Sequence, residues 1–226
     1  MTTLSFQYPF RNNHIEGDGT NLFAKAEEWV LQNYHPRNPD GTYNTDVWLH
    51  DYVGFDVEFD RYNRARALLL GAPNGQELVY HCPTWRFGDA IRRLLNSPHV
   101  MKVGLGVWDD AMRLHAAGVQ HLQGFLDLLP LVQIYEKYVN GVANAADDGL
   151  MEFAKRYLGI KIKNSRKAGD SGWANVTPLS RRHIRYGCLD AFASLEVFRV
   201  LLARLTPAAR ARFNVIAAEM LRKHRR

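Results

Sequence analysis

The chain has 226 residues, a formal charge of +6 and ordinary globular proportions of hydrophobic (46%) and charged (23%) residues, so it fits one large domain with a sizeable core. No run approaches the roughly 18 apolar residues of a membrane span, and the first residues lack the charged-then-apolar order of a signal peptide, which excludes a membrane partner and points to the nucleus, the cytoplasm or an organelle matrix. Only two cysteines, Cys82 and Cys188, occur and they form no C-x-x-C pair, so neither a zinc site nor a disulfide framework is indicated.

Residues 1–20 are polar and without period, and are expected to form a loosely held extension. A helix follows to about Gln32, capped by Thr20 or Asn21, with Leu22, Phe23, Ala26, Trp29 and Val30 at helical spacing. Tyr34 to Asp46 has the proline, glycine and asparagine content of a surface loop. From Val53 to Phe59 apolar residues alternate with Gly54, Asp56 and Glu58, the period of a strand with one buried face. An arginine-bearing loop, the apolar run Ala67 to Leu70, a Pro73-Asn74-Gly75 turn and the run Leu78 to Cys82 complete an antiparallel meander.

Beyond it the period changes. Helices are expected over Trp85–Leu95, Trp108–Ala117 and Leu150–Leu158, and strands over Val100–Leu105 and Phe125–Leu129. Alternating helices and strands imply parallel pairing through right-handed crossovers, so an α/β fold is expected, with a mixed sheet flanked by helices. Lys161 to Asn175 is a basic loop with two glycines and Trp173. A long helix runs from an N-cap at Ser180 to about Leu205, where Thr206-Pro207 stops it and starts a basic tail helix. From Leu205 onward Arg210, Arg212, Arg222, Lys223, Arg225 and Arg226 face only Glu219, leaving +5 there and +1 for everything before it. Such a tail suits polyanion contact, a targeting signal or a solvated helix docked through Phe213, Ile216, Ala217 and Met220.

Three stretches could carry chemistry. Asp56 and Glu58 share one face of their strand, where two acids repel unless cations lie between them; a solvated edge strand is the alternative. Val103-Gly104-Leu105-Gly106-Val107-Trp108-Asp109-Asp110 ends a strand and opens a helix with acids that either cap the helix or face the ligand edge of the sheet. It is not a dinucleotide fingerprint, because the third glycine falls on Asp109 and no acid is expected on a following strand end about 20 residues on. Tyr186 and Asp190 lie a turn apart on the long helix, which also carries Phe192, Leu195, Phe198 and Leu202; a core-facing Asp190 needs a partner, an exposed one does not.

Together these blocks resemble the DEDD superfamily of 3′–5′ exonucleases. Asp56-Val57-Glu58 matches the first motif, and the spacing to Arg113-Leu114 in the second selects Asp110 over Asp109. Tyr186-x-x-x-Asp190 matches the third and places the chain with the tyrosine subgroup. G-F-D-V-E-F, M-E-F-A-K-R-Y-L-G, S-G-W-A-N-V-T-P-L-S and Y-G-C-L-D-A-F-A-S-L-E-V-F, over about residues 50 to 200, are similar to the exonuclease domain of the Werner syndrome helicase and its stand-alone relatives. Phe59 stands where a tryptophan is usual and Gly172 where an asparagine is usual; neither position is a metal ligand.

The resemblance implies a ribonuclease H-like domain over residues 21–205 and two Mg²⁺ or Mn²⁺ ions about 4 Å apart, one generating hydroxide and one steadying the departing 3′ oxygen. It implies Asp56 bridging both ions, Glu58 and Asp190 on the ion that activates water, and Asp110 supporting the other through water. Tyr186 would orient water and phosphate, being a better donor than base at an unperturbed pKa near 10. Nucleic acid is the expected partner, held at its 3′ end by Lys161, Lys163, Arg166, Lys167 and Trp173, with a helicase or processing complex as a further partner. The rival is a catalytically idle nucleic-acid-binding scaffold of the same fold. Retention of all four acids favours the enzyme.

Overall fold

The computed structural model describes residues 11–14, 19–62, 64–81, 87–143, 148–160, 173 and 179–223, with side chains from Ala24 to Arg222 within those ranges. Strands β1 (Arg11–His14), β2 (Tyr52–Phe59), β3 (Ala65–Gly71), β4 (Gln76–His81), β5 (Met101–Gly104) and β6 (Phe125–Asp127) form one sheet in the order β1-β4-β3-β2-β5-β6. The β2, β3 and β4 strands are the antiparallel meander, while β5 and β6 add to β2 in parallel, as the change of period implies. The helices are α1 (Gly19–Tyr34), α2 (Asp89–Asn96), α3 (Val107–Ala116), α4 (Leu128–Tyr138), α5 (Leu150–Phe153, continuing as a π-helical turn Ala154–Leu158), α6 (Arg181–Arg204) and α7 (Pro207–Lys223).

Alternation along β2 decides which face each helix covers. Val53, Phe55 and Val57, with Leu68 and Leu70 of β3 and Leu78 and Tyr80 of β4, join Trp29, Val30, Ile91, Leu94 and Ala111 of α1, α2 and α3 in one core. Full burial of a ring such as Phe55 contributes about 2–3 kcal/mol. The opposite face receives α6, through Ala67, Leu69 and Val79 at one end and Val103 and Leu126 at the other. Gly54, Asp56 and Glu58 belong to this second face.

Two polar fixtures set the first layer. The Glu27 carboxylate accepts from the backbone N–H groups of Ala90 (2.6 Å) and Ile91 (3.0 Å), so α1 caps the start of α2 from 63 residues away or 64. Lys102 is wholly buried, and its Nζ donates to the carbonyls of Leu94 (3.0 Å), Ser97 (2.7 Å) and Val100 (2.8 Å), which uses all three of its hydrogens to pin the α2–β5 connection.

Several expectations need correction. The N-terminal stretch is not all extension: Arg11–His14 pairs in parallel with Gln76–Val79, because the open edge of β4 offers backbone groups that pair without regard to side-chain pattern. The strand expected to Leu129 ends at Asp127, whose carboxylate accepts from Leu129 N–H (2.9 Å) and starts α4, with Pro130 tolerated in its first turn. An acid does stand at the end of the following strand, 21 residues beyond Gly106: Asp127, whose carboxylate accepts the Gly106 N–H at 2.8 Å and is thus engaged in joining β5 to β6. The second helix starts at Asp89, not Trp85, which lies outside the described residues along with Cys82. The tail helix α7 docks as expected, with Phe213 and Ala217 buried and Ile216 and Met220 packed beside them. Among the described residues no helix is long and apolar enough to cross a membrane.

Glu77 of β4 is buried beneath α6, with Oε2 lacking a hydrogen-bond partner among the described residues. Burial pushes its carboxyl up to about 7. A raised folded-state pKa gives stability that is complete below the ordinary carboxyl value and is lost as pH rises through about 7. Glu77→Gln is therefore expected to be more stable than the parent chain at pH 8 and not at pH 5. Urea titrations at the two pH values measure this, and an equal difference at both would refute it.

Candidate active site

Close approach of α6 to the sheet builds the site. An added Cβ on Gly54 would lie 2.0 Å from the Ala191 carbonyl oxygen, and one on Gly71 of the neighbouring strand would lie 2.9 Å from it. Only the bare backbone at these two positions lets the helix settle over β2 and β3. Asp190, one residue before that contact, is thereby lowered onto Asp56 and Glu58, and carboxylate oxygens of the three residues lie within 4.8 Å of one another. From the other side, Gly106 with φ +73° turns the chain from β5 into α3. That turn leaves Asp109 exposed and Asp110 buried, and the Asp110 carboxyl hydrogen-bonds to Asp56. The structure thus brings Asp110, and not Asp109, to the cluster.

The charge arrangement is self-opposing without a counterion. Burial raises the Asp56 carboxyl to about 6, although part of its surface stays open, and hydrogen bonds from Val57 N–H and Asp110 resist the rise. Burial followed by the charges of Asp56, Asp190 and Asp110 pushes Glu58 up to about 10. Burial and then Asp56 push Asp110 up to about 8, opposed by the Arg113 guanidinium one turn away. Asp190 is also raised, by burial first and Asp56 second, while its hydrogen bond from the Tyr186 hydroxyl works against that. Burial and the adjacent Asp190 and Glu58 keep the phenol firmly protonated, so it is a donor here and not a base.

Carboxylate oxygens from three or four residues around one point, with no thiol or imidazole among them, match a hard divalent cation such as Mg²⁺ or Mn²⁺ and match zinc poorly. The same burial and mutual repulsion that raise these pKa values are what a bound dication would relieve.

Other sequence expectations fall differently. Lys161, Lys163, Arg166 and Lys167 lie outside the described residues. Trp173 is fully buried, its ring edge-on to His183 at 5.0 Å and its carbonyl oxygen 3.1 Å from His81 Nε2, so it packs α6 against β4 and has no ring face open to a base. Gly54 opens the G-F-D-V-E-F stretch but counts there only as part of the alternation, and Gly71 is not singled out by any motif; the signal for both is a glycine inside a strand, which marks close approach of another backbone.

A sheet of this order with acids gathered from its central strand and two covering helices defines a ribonuclease H-like nuclease fold. A family model described as a 3′–5′ exonuclease matches residues 43–206, and the chain belongs to that family. Among solved structures, Brucella melitensis NrnC bound to pGG is similar with a TM-score of 0.59 and 21% identity, over 77% of this chain and 85% of that one. NrnC with bound Mg²⁺ gives 0.56 and 22%, over 77% and 86%. Escherichia coli RNase D, an exoribonuclease involved in structured RNA processing, gives 0.61 and 16%, over 91% of this chain and 49% of that one. A search of curated proteins finds no match.

Proposed function

We propose that the chain is a two-metal-ion 3′–5′ exonuclease of the DEDD tyrosine subgroup, removing nucleoside monophosphates from the 3′ ends of DNA or RNA. The observation that carries this reading is the convergence of Asp56, Glu58 and Asp190, with Asp110 hydrogen-bonded to Asp56, at one point under α6. Mg²⁺ or Mn²⁺ held by these residues would supply an activated water and charge neutralisation at the scissile phosphate. On the family resemblance Asp56 would serve both ions, Glu58 and Asp190 would hold the one that activates water, and Asp110 would support the other; the gathering of these acids supports that reading. Tyr186 keeps its proton at neutral pH and would orient a water or phosphate oxygen by donation.

The test uses 3′-labelled DNA and RNA strands, as recessed and overhanging duplexes, together with pGG, each incubated with Mg²⁺, Mn²⁺ or EDTA. Release of labelled mononucleotide in either metal and none in EDTA is expected. Strand binding without release in any metal would replace the enzyme by the idle-scaffold reading.

A further inference from the structure

Beside the carboxylates the β2–β3 connection carries a cationic device that the cluster itself does not use. Register slips between Glu58 and Phe59, and such a bulge re-aims the strand as it leaves the sheet. The Asp60 carboxylate then accepts from Arg64 Nε (2.8 Å), from Arg66 Nε (3.0 Å) and Nη2 (2.8 Å), and from the backbone N–H groups of Tyr62 (2.8 Å) and Arg64 (3.0 Å). These contacts fix the loop from within. Its outer surface is Tyr62, 62% exposed, with the guanidinium carbons of Arg61 and Arg64 at 4.7 and 5.1 Å from the ring centroid. Arg61 Nη2 also donates to the Tyr62 hydroxyl at 2.7 Å, and Arg61 has no ion pair among the described residues. The Arg64 side chain remains 60% exposed despite its bond to Asp60.

Two like-charged planar groups braced on one ring repel each other, and an anion shared between them removes that repulsion. Guanidinium planes match phosphate oxygens in geometry and are weakly hydrated, so little water has to be displaced. Position adds to chemistry: Arg61 is three residues from Glu58, at most about 11 Å along the chain. Arg113 of α3, its guanidinium 4.7 Å from the Phe59 ring, is a further cation one turn from Asp110. By contrast α7 starts at the far end of β2, where Arg210 acts on Tyr52.

Resting on the exonuclease reading for the identity of the strand, we propose that Arg61 and Arg64, held on Tyr62, form a phosphate-binding rim that grips the substrate backbone beside the carboxylate cluster. The rim, and not the basic tail, then carries the salt-sensitive part of binding.

Fluorescence anisotropy of a 5′-labelled single-stranded oligonucleotide against salt tests this on full-length Asp190→Asn protein in Mg²⁺. Adding Arg61→Gln/Arg64→Gln is expected to flatten the slope of log affinity against log salt by about 1.4, from about 0.7 per phosphate contact, and to weaken binding roughly ten- to thirtyfold at 0.1 M salt. Arg61→Gln alone leaves the Asp60 contacts intact and is expected to give half the slope change. Replacing Arg222, Lys223, Arg225 and Arg226 by Gln is expected to change the slope less than the double variant. An unchanged slope in both rim variants, or a larger change from the tail, overturns the rim. Hydrolysis of the same strand by the unsubstituted protein is measured alongside: binding that depends on the rim without hydrolysis would keep the rim and sink the exonuclease reading.

Discussion

Asp190→Asn is expected to lower strand hydrolysis by about 10³-fold and, in EDTA at pH 8, to raise the melting temperature above that of the unsubstituted chain. The two effects have one origin. Asp190 is buried against Asp56 and Glu58; burial raises all three carboxyls, and the neighbouring charges raise Glu58 and Asp190 further. For an acid raised in the folded state, the stability it contributes is complete below its ordinary pKa and declines as pH rises through the folded value. The window here opens near pH 4 and spans the values of about 6 for Asp56, 8 for Asp110 and 10 for Glu58. At pH 8 without metal the cluster therefore strains the fold, and removing one charge returns about 1–2 kcal/mol, some 2–8 °C in a chain of this size. At pH 4.5 the advantage should vanish, and added Mg²⁺ or Mn²⁺ should stabilise the unsubstituted protein more than the variant. Melting curves at both pH values, with and without metal, decide the matter. A variant that is less stable in EDTA at pH 8, or that hydrolyses within tenfold of the parent rate, would remove Asp190 from the proposed site.

Gly54→Val is expected to cost at least about 3 kcal/mol of stability and to reduce activity about 10²-fold in whatever protein remains folded. Even the Cβ alone would sit 2.0 Å from the Ala191 carbonyl oxygen, and the obstacle is backbone, which cannot rotate aside as a side chain would. Helix α6 must lift away from β2, carrying Asp190 and Tyr186 with it, while Asp56 and Glu58 stay in the strand. Gly149→Ala is the control: φ there is −72° and no neighbour lies within 4 Å of an added Cβ, so stability and rate should stay near those of the parent. Activity equal to the parent in folded Gly54→Val would mean that the close contact does not set the position of Asp190.

Much of the architecture was legible because the chain writes its periods plainly. Val53, Phe55 and Val57 alternate with Gly54, Asp56 and Glu58 without interruption, and that strand is central in the sheet. Ser180 is the N-cap of α6 as read, its Oγ 3.4 Å from His183 N, because a serine after a proline stop is a local signal independent of tertiary structure. What stayed hidden depended on contacts between distant segments. β1 forms by borrowing the free edge of β4, and nothing in Arg11-Asn12-Asn13-His14 announces it. α4 follows β6 without a loop, so its first residues, Leu128 and Leu129, read as more strand. Of the site, the acids were visible as types at spacings, and the choice of Asp110 over Asp109 agrees with the one that faces Asp56. Trp173 shows the opposite failure: an aromatic in a basic stretch suggests stacking on bases, yet its large apolar surface fills the gap between α6 and β4.

The distance in sequence between the parts of the cluster has a bearing on when the chain acquires its chemistry. Asp56 and Glu58 are in place once the meander pairs, and Asp110 once β5 and α3 have joined it, but Asp190 is supplied by a helix more than a hundred residues after β2. During synthesis the ribosome releases that helix late, and contacts of such long range form after local ones. A nascent chain that has already folded its sheet therefore carries an incomplete set of carboxylates. On the exonuclease reading, the proposed site would be complete only when α6 lands on Gly54 and Gly71.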